Sequence, residues 1–191
     1  MVSFRSETPE SSPGNAGGGT LLAGHYRVLD LTDEKGVYCA KLLADLGADV
    51  IKVEPPTGDP LRYQGPFLHD EIHLEKSLRF LFCNANKRGI TLNIQQEAGR
   101  ELLLRLVRSA HALVESFPAG FLESLGLGYD ILKGVNPALV LTSITPFGQD
   151  GPYRDYKSSD LVSAALSHWM QVSGEPDGPP TRWGGGDQTY R

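Results

Sequence analysis

Cysteine is scarce: Cys39 and Cys83 are the only two in 191 residues. So few cannot form a disulfide scaffold, and they fit free thiols in a reducing compartment, so a cytoplasmic protein is expected. Cys39 falls in a strongly apolar helical pattern and is expected to be a buried, inert thiol. No apolar run approaches the roughly 20 residues needed to cross a bilayer. Residues 1–24 are polar, rich in Gly, Ser and Pro, and have no apolar h-region. They are expected to form a disordered tail and not a secretory signal. There is no excess of positive charge: the net charge is −5, so neither nucleic acid nor an anionic membrane is an expected partner. No internal repeat, nucleophile elbow or phosphate loop occurs.

What is present is an ordinary apolar content, 40%, in a chain long enough for one domain with a real core. Past the tail, short apolar runs alternate with helical patterns. Tyr26–Leu31, Asp49–Glu54, Ile90–Ile94, Ala112–Glu115 and Leu139–Ile144 read as strands. Helical patterns cover Gly36–Leu46, closed by Gly47, then Leu74–Phe82, Gln96–Ala110, Phe117–Leu125, Tyr129–Gly134 and Ser159–Val172. In the last of these, Leu161, Ala165, Trp169 and Val172 share one face. Residues 55–73 read as a long loop. Such alternation predicts an α/β fold, a Rossmann-like parallel sheet with helices on both faces. Ligands in such sheets bind beyond the carboxyl ends of the strands, which directs attention to Asp30–Gly36, Glu54–Gly58 and Glu115–Phe117.

Several motifs are candidate sites. Gly36 and Glu54 have the spacing of a dinucleotide fingerprint, but Leu31–Gly36 supplies one glycine where three are needed. Asp33 and Glu34 would also repel a pyrophosphate there. His69-Asp70-Glu71-Ile72-His73 sets two histidines four apart. Asp70 stands where the zinc-protease motif needs Glu, so a solvated polar stretch is expected and no metal site. Pro179–Asp187 ends in three glycines and an aspartate. Bare glycines let a bulky group approach the carboxylate, which can serve as a covalent nucleophile. The same pattern is also that of a turn.

Taken in order, longer phrases carry a resemblance. They are Val28-Leu29-Asp30-Leu31-Thr32, the run from Tyr38 to Glu54 that contains Leu46-Gly47-Ala48-Asp49-Val50-Ile51-Lys52-Val53-Glu54, and Asn84-Ala85-Asn86-Lys87-Arg88-Gly89. Val114-Glu115-Ser116-Phe117, Phe147-Gly148-Gln149-Asp150-Gly151-Pro152-Tyr153 and Gly174-Glu175-Pro176-Asp177-Gly178-Pro179-Pro180 follow. From about residue 26 onward the chain resembles the class III coenzyme A transferases, whose fold the α-methylacyl-CoA racemases share. The resemblance implies transfer of CoA from an acyl-CoA to a small carboxylic acid through an aspartyl intermediate, with no permanently bound cofactor. It places the nucleophile on Asp187 and a nearby acid on Asp160, which is equally a helix N-terminal acid favoured by the dipole. It places CoA contacts on Leu92, Asn93, Ile94 and Gln95, on Ser116, Phe117 and Pro118, and on Lys157.

The chain departs from the family at several points. Pro55 and Ser124 stand where arginines are usual, and Ser116 where asparagine is usual. Lys87 and Arg88 are candidates to supply the missing positive charge, or else a solvated pair. Ser159 replaces the histidine of the racemases, which argues against an isomerase, since racemisation needs a base on each side of the carbon. Family members are roughly twice as long and form interlocked two-domain homodimers. Residues 25–191 are therefore expected to be the N-terminal part of a large domain, incomplete relative to that fold. The alternatives are a racemase-type isomerase and a non-catalytic CoA-binding fragment.

Overall fold

The structure is a computed structural model and describes residues 24–181. Asp187, and all but the last residue of the expected tail, lie outside that range. Five strands, β1 (Arg27–Leu31), β2 (Asp49–Glu54), β3 (Arg88–Thr91), β4 (Ala112–Glu115) and β5 (Val140–Ser143), form one sheet in the order β3-β2-β1-β4-β5. Every pairing is parallel. The chain winds outward from β1 on one side, then returns to β4 on the other. That reversal puts a crevice between the ends of β1 and β4, where such sheets bind ligands.

Side-chain alternation feeds two cores. Val28, Val50 and Val114 pack with Ala40, Ala44 and Ala48 beneath α1 (Val37–Asp45). Leu29, Leu31, Ile51, Val53 and Leu113 point the other way, toward α3 (Glu97–Val107) and α5 (Tyr129–Val135). Strands that bury both faces read as near-continuous apolar runs, as these do. Leu103, fully buried on α3, contributes on the order of 1.5–3 kcal/mol. Gly47, at φ 98, ends α1 by donating to the Ala44 carbonyl at 2.9 Å.

Five expectations shift, one being the helix expected at Phe117–Leu125, which covers Phe121–Ser124 only. The third strand begins at Arg88 and ends at Thr91, not Ile94, because its neighbour β2 stops at Pro55 and Pro56, which have no N–H for the ladder. The helix expected at Leu74–Phe82 is α2 (Leu78–Asn84), started by Ser77, whose hydroxyl accepts from Phe80 N at 3.2 Å. The last helix, α6, covers Asp160–Leu166 only. His168 adopts φ 64, and Trp169 and Val172 are exposed and share no buried face. Cys39 is exposed, because α1 turns Val37, Ala40, Lys41 and Ala44 inward. Residues 55–73 contain two short 3-10 turns, Pro60–Tyr63 and Leu68–Asp70. His69 and Asp70 have positive φ, so the two histidines do not share a helical face. Among the described residues, no helix is long and apolar enough to cross a membrane.

Candidate functional site

Two loop crossings at the carboxyl end of the sheet build a small cleft. After β3, Leu92 N donates to the Glu54 carbonyl at 2.8 Å, and the chain then turns at Asn93, whose side chain accepts from Gln95 N. Ile94 is buried and anchors the turn in the core. Gly99 fixes the height of α3 above it, since a Cβ at 99 would stand 1.8 Å from the Asn93 carbonyl oxygen. After β4, the Ser116 hydroxyl accepts from Asp33 N and donates to Asp33 Oδ1, both at 2.8 Å. This pair ties the β1 loop to the β4 loop across the crevice. Phe117 packs on Phe121 with ring centroids 4.8 Å apart. Phe121 opens the short helix α4 (Phe121–Ser124).

Leu92, Asn93, Ile94, Gln95 and Phe117 line one pocket of about 110 Å³, together with Leu31, Val53, Pro55 and Phe121. Five of the residues that the resemblance assigns to CoA thus meet in one place. Ser116 is buried beneath them in its contact with Asp33, and Pro118 is exposed at the edge of the β4 loop. Lys157 is exposed on the segment after β5 and is not among the lining residues. Asp160 is buried as the first residue of α6, behind the Ser159 cap.

A buried charge cluster lies on the other face of the sheet from this pocket, toward α1 and α2. Asp30 accepts from Thr32 N and Oγ1 and from Lys87 Nζ, the last at 2.8 Å. Lys52 pairs with Asp59 at 2.7 Å and also donates to the Thr32 carbonyl. All four charged side chains are almost wholly buried. Burial pulls the Lys87 ammonium below its ordinary pKa, and Asp30 opposes that. Lys87 is therefore a buried structural cation and does not face a ligand. Arg88 grips Asp49 at the opposite end of the sheet. Neither lines the pocket: Arg88 is the exposed member that the solvated-pair alternative describes, and Lys87, buried, fits neither alternative. Burial raises Glu54, but bonds from Arg62 and from Asp59 N–H outweigh it and hold the carboxyl below its usual value. Glu115 goes the other way: burial pushes its carboxyl up, although Ser143 and Phe117 N–H bond to it. It lies directly behind the Phe117 wall.

A second cavity, about 420 Å³, lies between α1 and α2 and was not foreseen. Glu34, Val37, Tyr38, Leu61, Arg79, Phe82 and Cys83 line it. The Gln64 carboxamide joins its two charges, accepting from Arg79 at 2.6 Å and donating to Glu34 at 2.7 Å. No local pattern marks these residues; the long loop brings Leu61 and Gln64 to α2 from another part of the chain.

The sequence pattern of CoA-transferase family III matches residues 22–186. Succinyl-CoA:(R)-benzylsuccinate CoA-transferase subunit BbsE of Thauera aromatica is 46% identical over 166 residues, 87% of this chain and 40% of that one. Formyl-CoA:oxalate CoA-transferase of Streptomyces avermitilis is 43% identical over 159 residues, 83% of this chain and 38% of that one. The crystal structure of a CAIB/BAIF family protein from Brucella suis superposes with a TM-score of 0.78 at 41% identity, over 86% of this chain and 44% of that one. The chain thus spans about two fifths of the length of the curated relatives it matches.

Proposed function

Because this chain belongs to CoA-transferase family III, we propose that it is part of an enzyme that moves CoA from an acyl-CoA to a carboxylic acid. The observation that carries the reading is the convergence of Leu92, Asn93, Ile94, Gln95 and Phe117 on one pocket beyond the strand ends. Two crossings separated in sequence share an apolar slot at the end of the sheet where such folds bind ligands. The larger cavity holds Arg79, a guanidinium suited to a carboxylate. It is the place for the acyl group or the accepting acid.

Asp187 is the nucleophile in this reading. Its carboxylate attacks the thioester carbonyl, the C–S bond breaks, and CoA leaves as thiolate from an acyl-aspartyl anhydride. The thiolate attacks the aspartyl carbonyl and expels the acyl group as a free carboxylate. The accepting acid then attacks the aspartyl-CoA thioester, CoA leaves again as thiolate, and that thiolate takes the acceptor's acyl carbon and frees Asp187. No water enters, so the thioester's energy is conserved. Asp160, buried at a helix start, is the nearby acid, and Lys157 the lysine beside the site. The intact protein is proposed to act as a homodimer.

Hydroxylamine added during turnover of the full chain with an acyl-CoA should trap Asp187 as its hydroxamate. Normal transfer by Asp187→Ala would remove the nucleophile from this scheme. Exchange of deuterium at the acyl α-carbon without transfer would favour an isomerase instead.

A further inference from the structure

CoA is polyanionic, yet most described cations at this end of the sheet are already committed. Lys52 is held by Asp59, Lys87 by Asp30, Arg62 by Glu54 and Lys35 by Asp33. Arg154 is differently placed. Its Nη2 lies 2.5 Å from where a Cβ on Gly120 would stand. Gly120 has φ 78 and caps α4, so it is the last residue of the loop that starts at Phe117. The segment after β5 therefore lays a guanidinium directly on the loop that forms one wall of the pocket.

Two further facts favour a ligand role. The only ion pair made by Arg154 among the described residues is to its neighbour Asp155, at a long 3.8 Å and with the Asp155 carboxylate open to solvent. Such a pair is worth little and is readily exchanged. Its segment is also braced: the rings of Phe147, Tyr153 and Tyr156 pack on one another, with centroids 5.2 to 6.4 Å apart. A weakly paired guanidinium can exchange its partner for an anion that its planar fork fits.

We propose that Arg154 is a phosphate-binding residue of the coenzyme A site, a role that rests on reading this cleft as a CoA site. Gly120 is glycine because the backbone turns left there, and without a Cβ it leaves the guanidinium room to lie on the loop. Calorimetric titration of the full chain with CoA, dephospho-CoA and pantetheine tests this. Arg154→Gln should weaken CoA binding about tenfold or more, reduce its salt dependence, and leave pantetheine, which has no phosphate, unchanged. Arg154→Lys should lose part of the affinity, keeping the charge and losing the fork. An equal loss for CoA and dephospho-CoA would put the contact on the diphosphate; a loss confined to CoA would put it on the 3′-phosphate.

A folded Arg154→Gln that binds CoA as tightly as the unaltered chain would overturn the role of Arg154 and leave the cleft reading standing. Loss of pantetheine alongside CoA in both variants would also overturn it, since the arginine would then be a prop for the loop. If the unaltered chain bound none of the three, the cleft reading itself would fall and the proposal with it.

Discussion

Replacing Lys87 with methionine should unfold this domain more readily than any comparable surface change. The Lys87 ammonium donates to Asp30 Oδ2 at 2.8 Å, the Val37 carbonyl at 2.9 Å and Asn84 Oδ1 at 3.1 Å. Methionine fills similar volume but leaves Asp30, itself fully buried, without its principal counter-charge. Removing one partner of a buried pair costs about 3–5 kcal/mol. The lower end applies here, because Thr32 still donates twice to Asp30 and Lys52 stands 3.9 Å away. At about 3 kcal/mol, and about 2–4 °C for each kcal/mol in a chain of this size, the midpoint should fall by about 6–12 °C. Arg88→Met is the control: Arg88 is mostly exposed, Asp49 keeps Arg27 as a partner, and the loss should be below about 1 kcal/mol. Adding Asp30→Asn to Lys87→Met should recover part of the loss, since the uncompensated charge is gone. Thermal and urea unfolding followed by circular dichroism would measure all three. If Lys87→Met cost no more than Arg88→Met, the buried charge cluster would not be what holds α1 and α2 to the sheet.

Gly99→Ala should cost about 3 kcal/mol and weaken CoA binding together. Its methyl would collide with the Asn93 carbonyl, backbone against backbone, and no flexible side chain can yield there; unfolding midpoints and CoA titration of the same variant would show both losses or refute the link. Glu115 makes a pH prediction. Its carboxyl is raised above the ordinary value by burial, so the folded state holds its proton over a window where the unfolded chain has released it. The stability it contributes is present below about pH 4.3 and is lost as pH rises through its folded value. Glu115→Gln should remove that decline in urea titrations across mildly acidic pH, and an unchanged pH profile would show that Glu115 ionises freely in the fold.

How much of this was legible in the sequence depends on the range of the interaction involved. The strands β1, β2 and β4 were readable to within one residue because both faces are buried and the apolar runs are continuous, and β5, an edge strand with no buried residue, because its short run is β-branched and apolar. Gly47 was readable as a helix end, because a C-cap is a local device. Ser77 is a local signal too, since a serine before an apolar run is a helix N-cap, and it marks the start at Leu78 that the apolar pattern alone does not. Lys87 could not be read at all. Adjacent to Arg88 in a polar stretch, it looks like half of a surface pair, and only pairing with Asp30, 57 residues away, turns it inward. Gly99 is of another kind: no turn or positive φ marks it, and it is required by the backbone carbonyl oxygen of Asn93, which a Cβ would meet at 1.8 Å. The cleft is therefore only half encoded in its lining residues. The other half lies in Gly99 and the Ser116–Asp33 contact, which set how closely the crossings approach, so substitutions there should alter ligand binding without touching the ligand.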